Sequence, residues 1–128
     1  MKTLALLVLL ATCSLLQAKR LYPESHYQQY YANLVGGETE VVLEDRTRCD
    51  IVTATHAIEV DFADKWAEAI GQSLSYGLNL NLKPAIVLIM EQENDERHFI
   101  RINTIIKHYQ LNIEVFPIRV FKEEGLKK

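Results

Sequence analysis

The sequence predicts an α/β fold, a mixed sheet flanked by helices, and three observations carry that prediction. Three strand-like segments, "ETEVVLED", "RCDIVT" and "HAIEVDF", follow one another through short links, the pattern of an antiparallel meander. Two further strands, "AIVLIM" (85–90) and "IEVFPI" (113–118), alternate with long helical patterns, so they join the sheet through crossover connections. The length of 128 residues and the hydrophobic fraction of 48% suit one domain built around one core.

The elements follow in order. "YPESHYQQYYANLV" (22–35) opens with Pro23 and Glu24, which suit a helix start, and Tyr27, Tyr30, Tyr31 and Leu34 fall at helical spacing. Gly36 and Gly37 break the pattern. The first strand then runs into a turn at Asp45, the second covers 48–53 and the third 56–62. "ADKWAEAIGQSLSYGLNL" (63–80) is helical, with Trp66, Ile70 and Leu74 as an apolar stripe and Gly77 and Asn79 near its end. The run 85–90 has no alternation and suits a buried strand. "DERHFIRINTIIKHYQ" (95–110) is another long helix, with Phe99, Ile102, Ile105 and Ile106 on one stripe. The strand 113–118 closes the fold, and a lysine-rich tail frays.

The first stretch, "MKTLALLVLLATCSLLQAKR", stands apart from the fold. Lys2 is a short positive n-region, an apolar run extends from Leu4 to Leu16, and "LQA" precedes Lys19. This is the pattern of a secretory signal peptide over 1–18, with cleavage after Ala18 and an uncleaved anchor as the alternative. The run is too short for a comfortable membrane span, so no stable span is expected in the mature chain, 19–128. Cys13 would leave with the leader, and Cys49, without a partner for a disulfide, reads as a small strand residue. Periplasmic or secreted localisation is the expectation. A net charge of -3 means that a nucleic-acid partner would need a local basic patch.

The hairpin of the second and third strands carries the chemistry. A turn at Ala54-Thr55 pairs Thr53 with His56, Val52 with Ala57 and Ile51 with Ile58, and so sets Asp50 opposite Glu59. Opposed residues share a face about 5 Å apart, and like charges there destabilise the ladder. A divalent cation would compensate; oxygen ligands of this kind suit Mg²⁺ or Mn²⁺. The same register sets Arg48 opposite Asp61, which offers partial neutralisation without metal. Glu59 and Asp61 share one face of the third strand, and Ile58, Val60 and Phe62 take the other. On the helix that follows, Lys65, Gln72 and Tyr76 lie within about 20° of one line. Ala69 sits among them, small enough to admit a substrate or the sheet.

Asp50, then Glu59-Val60-Asp61, then Gln72-Ser73-Leu74-Ser75-Tyr76 resemble the PD-(D/E)XK nuclease superfamily. There an Asp begins one strand, (D/E)-X-K lies on the next, and one branch carries Q-x-x-x-Y on the following helix. The resemblance covers roughly 22–118, and "CDIVTATHAIEVDFADKWAEAIGQSLSYG" looks like a set of small bacterial proteins of that superfamily. It implies a restriction-endonuclease-like α-β-β-β-α-β core and Mg²⁺-dependent hydrolysis of nucleic-acid phosphodiesters. By the resemblance Asp50 and Glu59 bind Mg²⁺, and Glu40 is the additional acid of the preceding strand. A loop centred on Asp45 sets Glu40 opposite Asp50; one centred half a residue later turns it away. Gln72 and Tyr76 hold the site or touch the nucleic-acid backbone. The departure is Asp61, which occupies the lysine position of (D/E)-X-K. Lys65, one turn into the helix, would have to reach back with its flexible stem to supply the missing cation. The alternative is an exported nuclease-fold module that binds a partner without catalysis.

Overall fold

The computed structural model describes residues 19–121. The leader expected over 1–18 and the tail from 122 lie outside the described residues. The fold is α/β, with a five-stranded mixed sheet in the order β1-β2-β3-β4-β5. The elements are α1 (Glu24–Val35), β1 (Glu38–Val42), β2 (Arg48–Val52), β3 (His56–Phe62), α2 (Trp66–Leu80), β4 (Lys83–Met90), α3 (Glu96–His108) and β5 (Glu114–Arg119). A 3₁₀ turn over Ala63–Lys65 leads into α2, and another over Glu93–Asp95 leads into α3. The first three strands are antiparallel neighbours, as their short links require. β4 and β5 add parallel to β3 after helical crossovers.

The sheet is covered on both faces. α1 packs on one face, where Tyr27 and Ala32 join Ile51, Ile58, Val60, Phe62, Val87 and Ile89. α2 and α3 cover the other, where Ala69 and Ile102 meet Ile86, Leu88 and Met90. Strand β4 is therefore apolar on both sides, which explains its unbroken hydrophobic run.

Two helix faces differ from the sequence reading. In α1 the buried residues are Tyr27, Gln28 and Ala32, whereas Tyr30 and Leu34 are exposed. The buried stripe is thus rotated toward a glutamine, because Gln28 has polar partners in the sheet. In α2 the buried line is Ala69, Ser73, Tyr76 and Gly77. Leu74 is exposed, and Trp66 and Ile70 are only partly covered. Small residues let this helix lie close to the strands. A Cβ on Gly77 would stand 2.9 Å from the Leu82 carbonyl oxygen and 3.0 Å from Pro84.

Candidate functional site

The predicted hairpin register is present. Val52 faces Ala57, Ile51 faces Ile58, and the Thr53 N–H donates to the His56 carbonyl at 3.0 Å. The β2–β3 ladder then stops at Ile51–Ile58, just before the acids. The Val60 N–H, which would continue it, donates instead to Asp50 Oδ2 at 2.7 Å. Strand alternation breaks at the same point: Ile51 packs in the α1-side core, and Cys49, two residues earlier, packs with Leu43, Ala57 and Tyr76. Residues two apart in a regular strand would share a face. Glu40, level with Asp50 in the β1–β2 register, has a positive φ of 55°. Both strands are irregular where their acids meet.

Gln28 fills the opening. Its Nε2 donates to the Asp50 carbonyl at 3.1 Å and to Glu40 Oε1 at 3.3 Å. A buried backbone carbonyl that has lost its ladder partner is satisfied this way. Glu40 itself is half exposed, with Oε2 3.6 Å from Arg48 Nη1. The β1–β2 register is centred on Asp45, the case that sets Glu40 beside Asp50. Arg48, expected opposite Asp61, pairs with Glu40 instead, because the ladder does not extend that far along β3.

The Asp50 and Glu59 carboxyls face each other within reach of a shared proton. Burial raises both pKa values, and the charge of Asp50 drives that of Glu59 further up. The Val60 N–H offsets part of the rise at Asp50. Glu59 is buried, and its Oε2 has no hydrogen-bond partner. Tyr76 brings its hydroxyl to the Glu59 carboxyl; burial first, then the neighbouring carboxylates, raise the phenol. Asp61 is also buried, and its Oδ1 accepts from the Phe62 N–H at 2.9 Å. Burial lifts Asp61 to about 6, against the lowering effects of that N–H and of the Lys65 charge.

A further acid joins from α1. Glu24, the first residue of that helix, is raised to about 7 by burial and by the charges of Asp61 and Asp50. Glu24 and Gln28 were missed as site residues in the sequence. An acid at a helix start reads as a favourable partner of the helix dipole, and nothing local marks it as more.

Lys65 is exposed and precedes α2 proper, with non-helical backbone angles. Its charge lowers the pKa of Asp61 and of Glu24, yet it forms no ion pair with any described carboxylate. Gln72 is exposed and makes no hydrogen bond among the described residues. The line expected through Lys65, Gln72 and Tyr76 therefore splits into an inward tyrosine, an outward glutamine and a lysine before the helix. Among the described residues, no three His, Cys, Asp or Glu side chains form a ready-made metal cage. The arrangement offers a coupled carboxyl pair with a vacant oxygen. It can hold a proton between two carboxyls or, once both ionise, accept a cation.

Among the described residues no helix is long and apolar enough to cross a membrane. Comparison with protein-family models, with curated proteins and with solved structures finds no match.

Proposed function

We propose that this chain is a Mg²⁺-dependent, nuclease-like protein of the PD-(D/E)XK type, with a site for hydrolysing nucleic-acid phosphodiesters. The observation that carries the reading is the buried Glu59 Oε2, without a partner, facing Asp50 in a group of carboxyls. An unpartnered carboxylate oxygen among like charges is unstable unless protonated or bound to a cation. The residues fit a hard divalent ion of the Mg²⁺ or Mn²⁺ class, which prefers carboxylate oxygens. Asp50 and Glu59 would hold it, with Glu40 and Glu24 at the rim. When bound, such an ion activates water and offsets the charge that develops on phosphate. The order α-β-β-β-α-β over the first six elements supports the restriction-endonuclease-like core.

The chain's own groups have distinct parts. Tyr76 holds the Glu59 carboxyl in place. Asp61 supplies no cation in the lysine position, so Lys65 is the group that would orient the attacking water and offset phosphate charge. Gln72, on the exposed face of α2, is free to touch a nucleic-acid backbone. An export leader over residues 1–18 would put this activity in the periplasm or outside the cell; fusion of residues 1–20 to a reporter active only after export checks that.

A second reading is a nuclease-fold module that binds a partner without cutting. The buried Asp61 in the lysine position and the unpaired, exposed Lys65 favour it. The deciding assay is cleavage of single- and double-stranded DNA and RNA with Mg²⁺ by the wild type, Lys65→Ala and Asp50→Ala. Hydrolysis is expected for the wild type, reduced about 10²–10³-fold in Lys65→Ala, the usual loss for one positioned electrostatic group. Asp50→Ala should be inactive. A folded wild type that binds Mg²⁺ and cuts nothing would establish the second reading.

A further inference from the structure

A cavity of about 490 Å³ lies at the carboxyl ends of the parallel strands β3 and β4. Ligands of α/β sheets commonly bind outside the carboxyl ends of such strands. Asp64 and Lys65 reach the cavity from the turn after β3, Glu91 and Gln92 from the end of β4, and Arg97 and His98 from the first turn of α3. Lys19, from the segment before α1, completes its cations together with Arg20.

The carboxylates of this cavity are already engaged. Asp64 Oδ1 accepts from Arg20 Nη2 at 2.6 Å. Glu91 Oε1 accepts from the Tyr27 hydroxyl at 2.8 Å and from the Leu21 N–H at 3.1 Å. Asp95 Oδ2 accepts from the N–H groups of Glu91 and Gln92. Lys19, Lys65 and Arg97, in contrast, form no ion pair with a described residue. His98 is only 8% exposed, and its Nδ1 is buried without a hydrogen-bond partner. Such a nitrogen is unfavourable until a ligand or water meets it. The amino terminus of α3 adds partial positive charge at the same place.

We propose that this cavity binds a phosphate group, held by Arg97, Lys19 and Lys65 with His98 as a further hydrogen-bond donor. The ligand is inorganic phosphate or a phosphomonoester. The inference stands apart from the nuclease reading, since Asp50 and Glu59 take no part in it. Lys65 borders both sites, so a strand lying across the acidic pair would place a flanking or terminal phosphate here.

The test is a ¹⁵N-resolved NMR titration of the purified protein with inorganic phosphate, with chloride at matched ionic strength as control. Saturable shifts are expected at the amides of 91–98 and at the His98 ring. Arg97→Gln should weaken the affinity about tenfold or more, as for loss of a charged hydrogen bond. Arg97 is exposed, so this variant should fold; unchanged amide shifts remote from the cavity verify it. His98→Gln gives a second, independent weakening. Asp50→Asn should bind phosphate as the wild type does. A dinucleotide with a terminal phosphate that binds more tightly than inorganic phosphate, and than the same dinucleotide without it, supports the inference and names a strand end as the source. Equal binding of the phosphorylated dinucleotide and inorganic phosphate supports it with free phosphate as the source. No saturable shift with phosphate, or equal affinity in Arg97→Gln, would overturn it. Loss of phosphate binding in Asp50→Asn would also overturn it, because the anion would then sit at the acidic pair.

Discussion

Strand β3 has two neighbours, and they treat it differently. Toward β4 it pairs in parallel without interruption, from His56–Lys83 to Phe62–Ile89. Toward β2 its backbone ladder stops at Ile58, and side chains take over: Asp50 receives the Val60 N–H, and Gln28 reaches in from α1. The parallel side is apolar and close-packed, whereas the antiparallel side gathers Asp50, Glu59, Asp61 and Glu24. One strand is thus a structural spine along one edge and an electrostatically unfavourable site along the other. The acidic edge is tolerable because the Val60 N–H and the Asp50 carbonyl find side-chain partners and the cost of burying charge is reduced by protonation.

The comparison predicts opposite signs for substitutions on the two sides. Leu88→Ala, at a fully buried position of β4, should destabilise the protein by about 2–5 kcal/mol, the range for a leucine cavity. Glu59→Gln should raise metal-free stability at about pH 8 by roughly 1 kcal/mol, because the raised Glu59 carboxyl must take up a proton on folding at that pH, a cost the amide avoids while still offering Asp50 a donor. Urea unfolding of both variants checks the pair of signs. A loss of stability in Glu59→Gln matching that in Leu88→Ala would show that the acids act as ordinary packing.

Much of this division was legible in the sequence, and the missing parts have physical reasons. The β3 span, the hairpin register and the placement of Asp50 beside Glu59 follow from alternation and turn position, which are local. The broken ladder is not local. The Val60 N–H turns to the Asp50 carboxylate, and the Asp50 carbonyl, on the β1 side, is met by Gln28, twenty-two residues earlier; no periodicity announces a glutamine that caps a strand carbonyl. For the same reason the aromatic spacing of α1 pointed to Tyr30 and Leu34, and burial went to Gln28 and Ala32. The acid on α1, Glu24, was hidden by its plausible role as a helix start.

Acidity gives the next effect. The carboxyls of Asp61, at about 6, and Glu24, at about 7, are raised above their unfolded values. Groups raised in this way bind protons more tightly when folded, so their stabilisation is complete below about pH 4 and is lost as pH rises through 6 and 7. The melting temperature of the metal-free protein should fall between about pH 5 and about pH 8, and Mg²⁺ should restore it at the upper end. A melting temperature that climbs steadily over this range without metal would contradict the raised values.

The smallest effects come from two glycines of α2. Nothing lies within 4 Å of a Cβ built on Gly71, so Gly71→Ala should stabilise the helix by about 0.5–1 kcal/mol. Gly77→Ala meets the Leu82 carbonyl and Pro84, and overpacking of about 1–3 kcal/mol should offset the same helical gain. Thermal melts of the two variants sharpen the picture of α2 as a helix held close to the acidic face by its small residues.

The most direct measurement is isothermal titration of the protein with Mg²⁺, repeated for Asp50→Ala and Lys65→Ala. If the antiparallel edge of β3 is a cation site, the wild type binds the ion saturably, Asp50→Ala loses that binding, and Lys65→Ala keeps it. Absence of saturable binding in the wild type, or undiminished binding in a folded Asp50→Ala, would contradict the account.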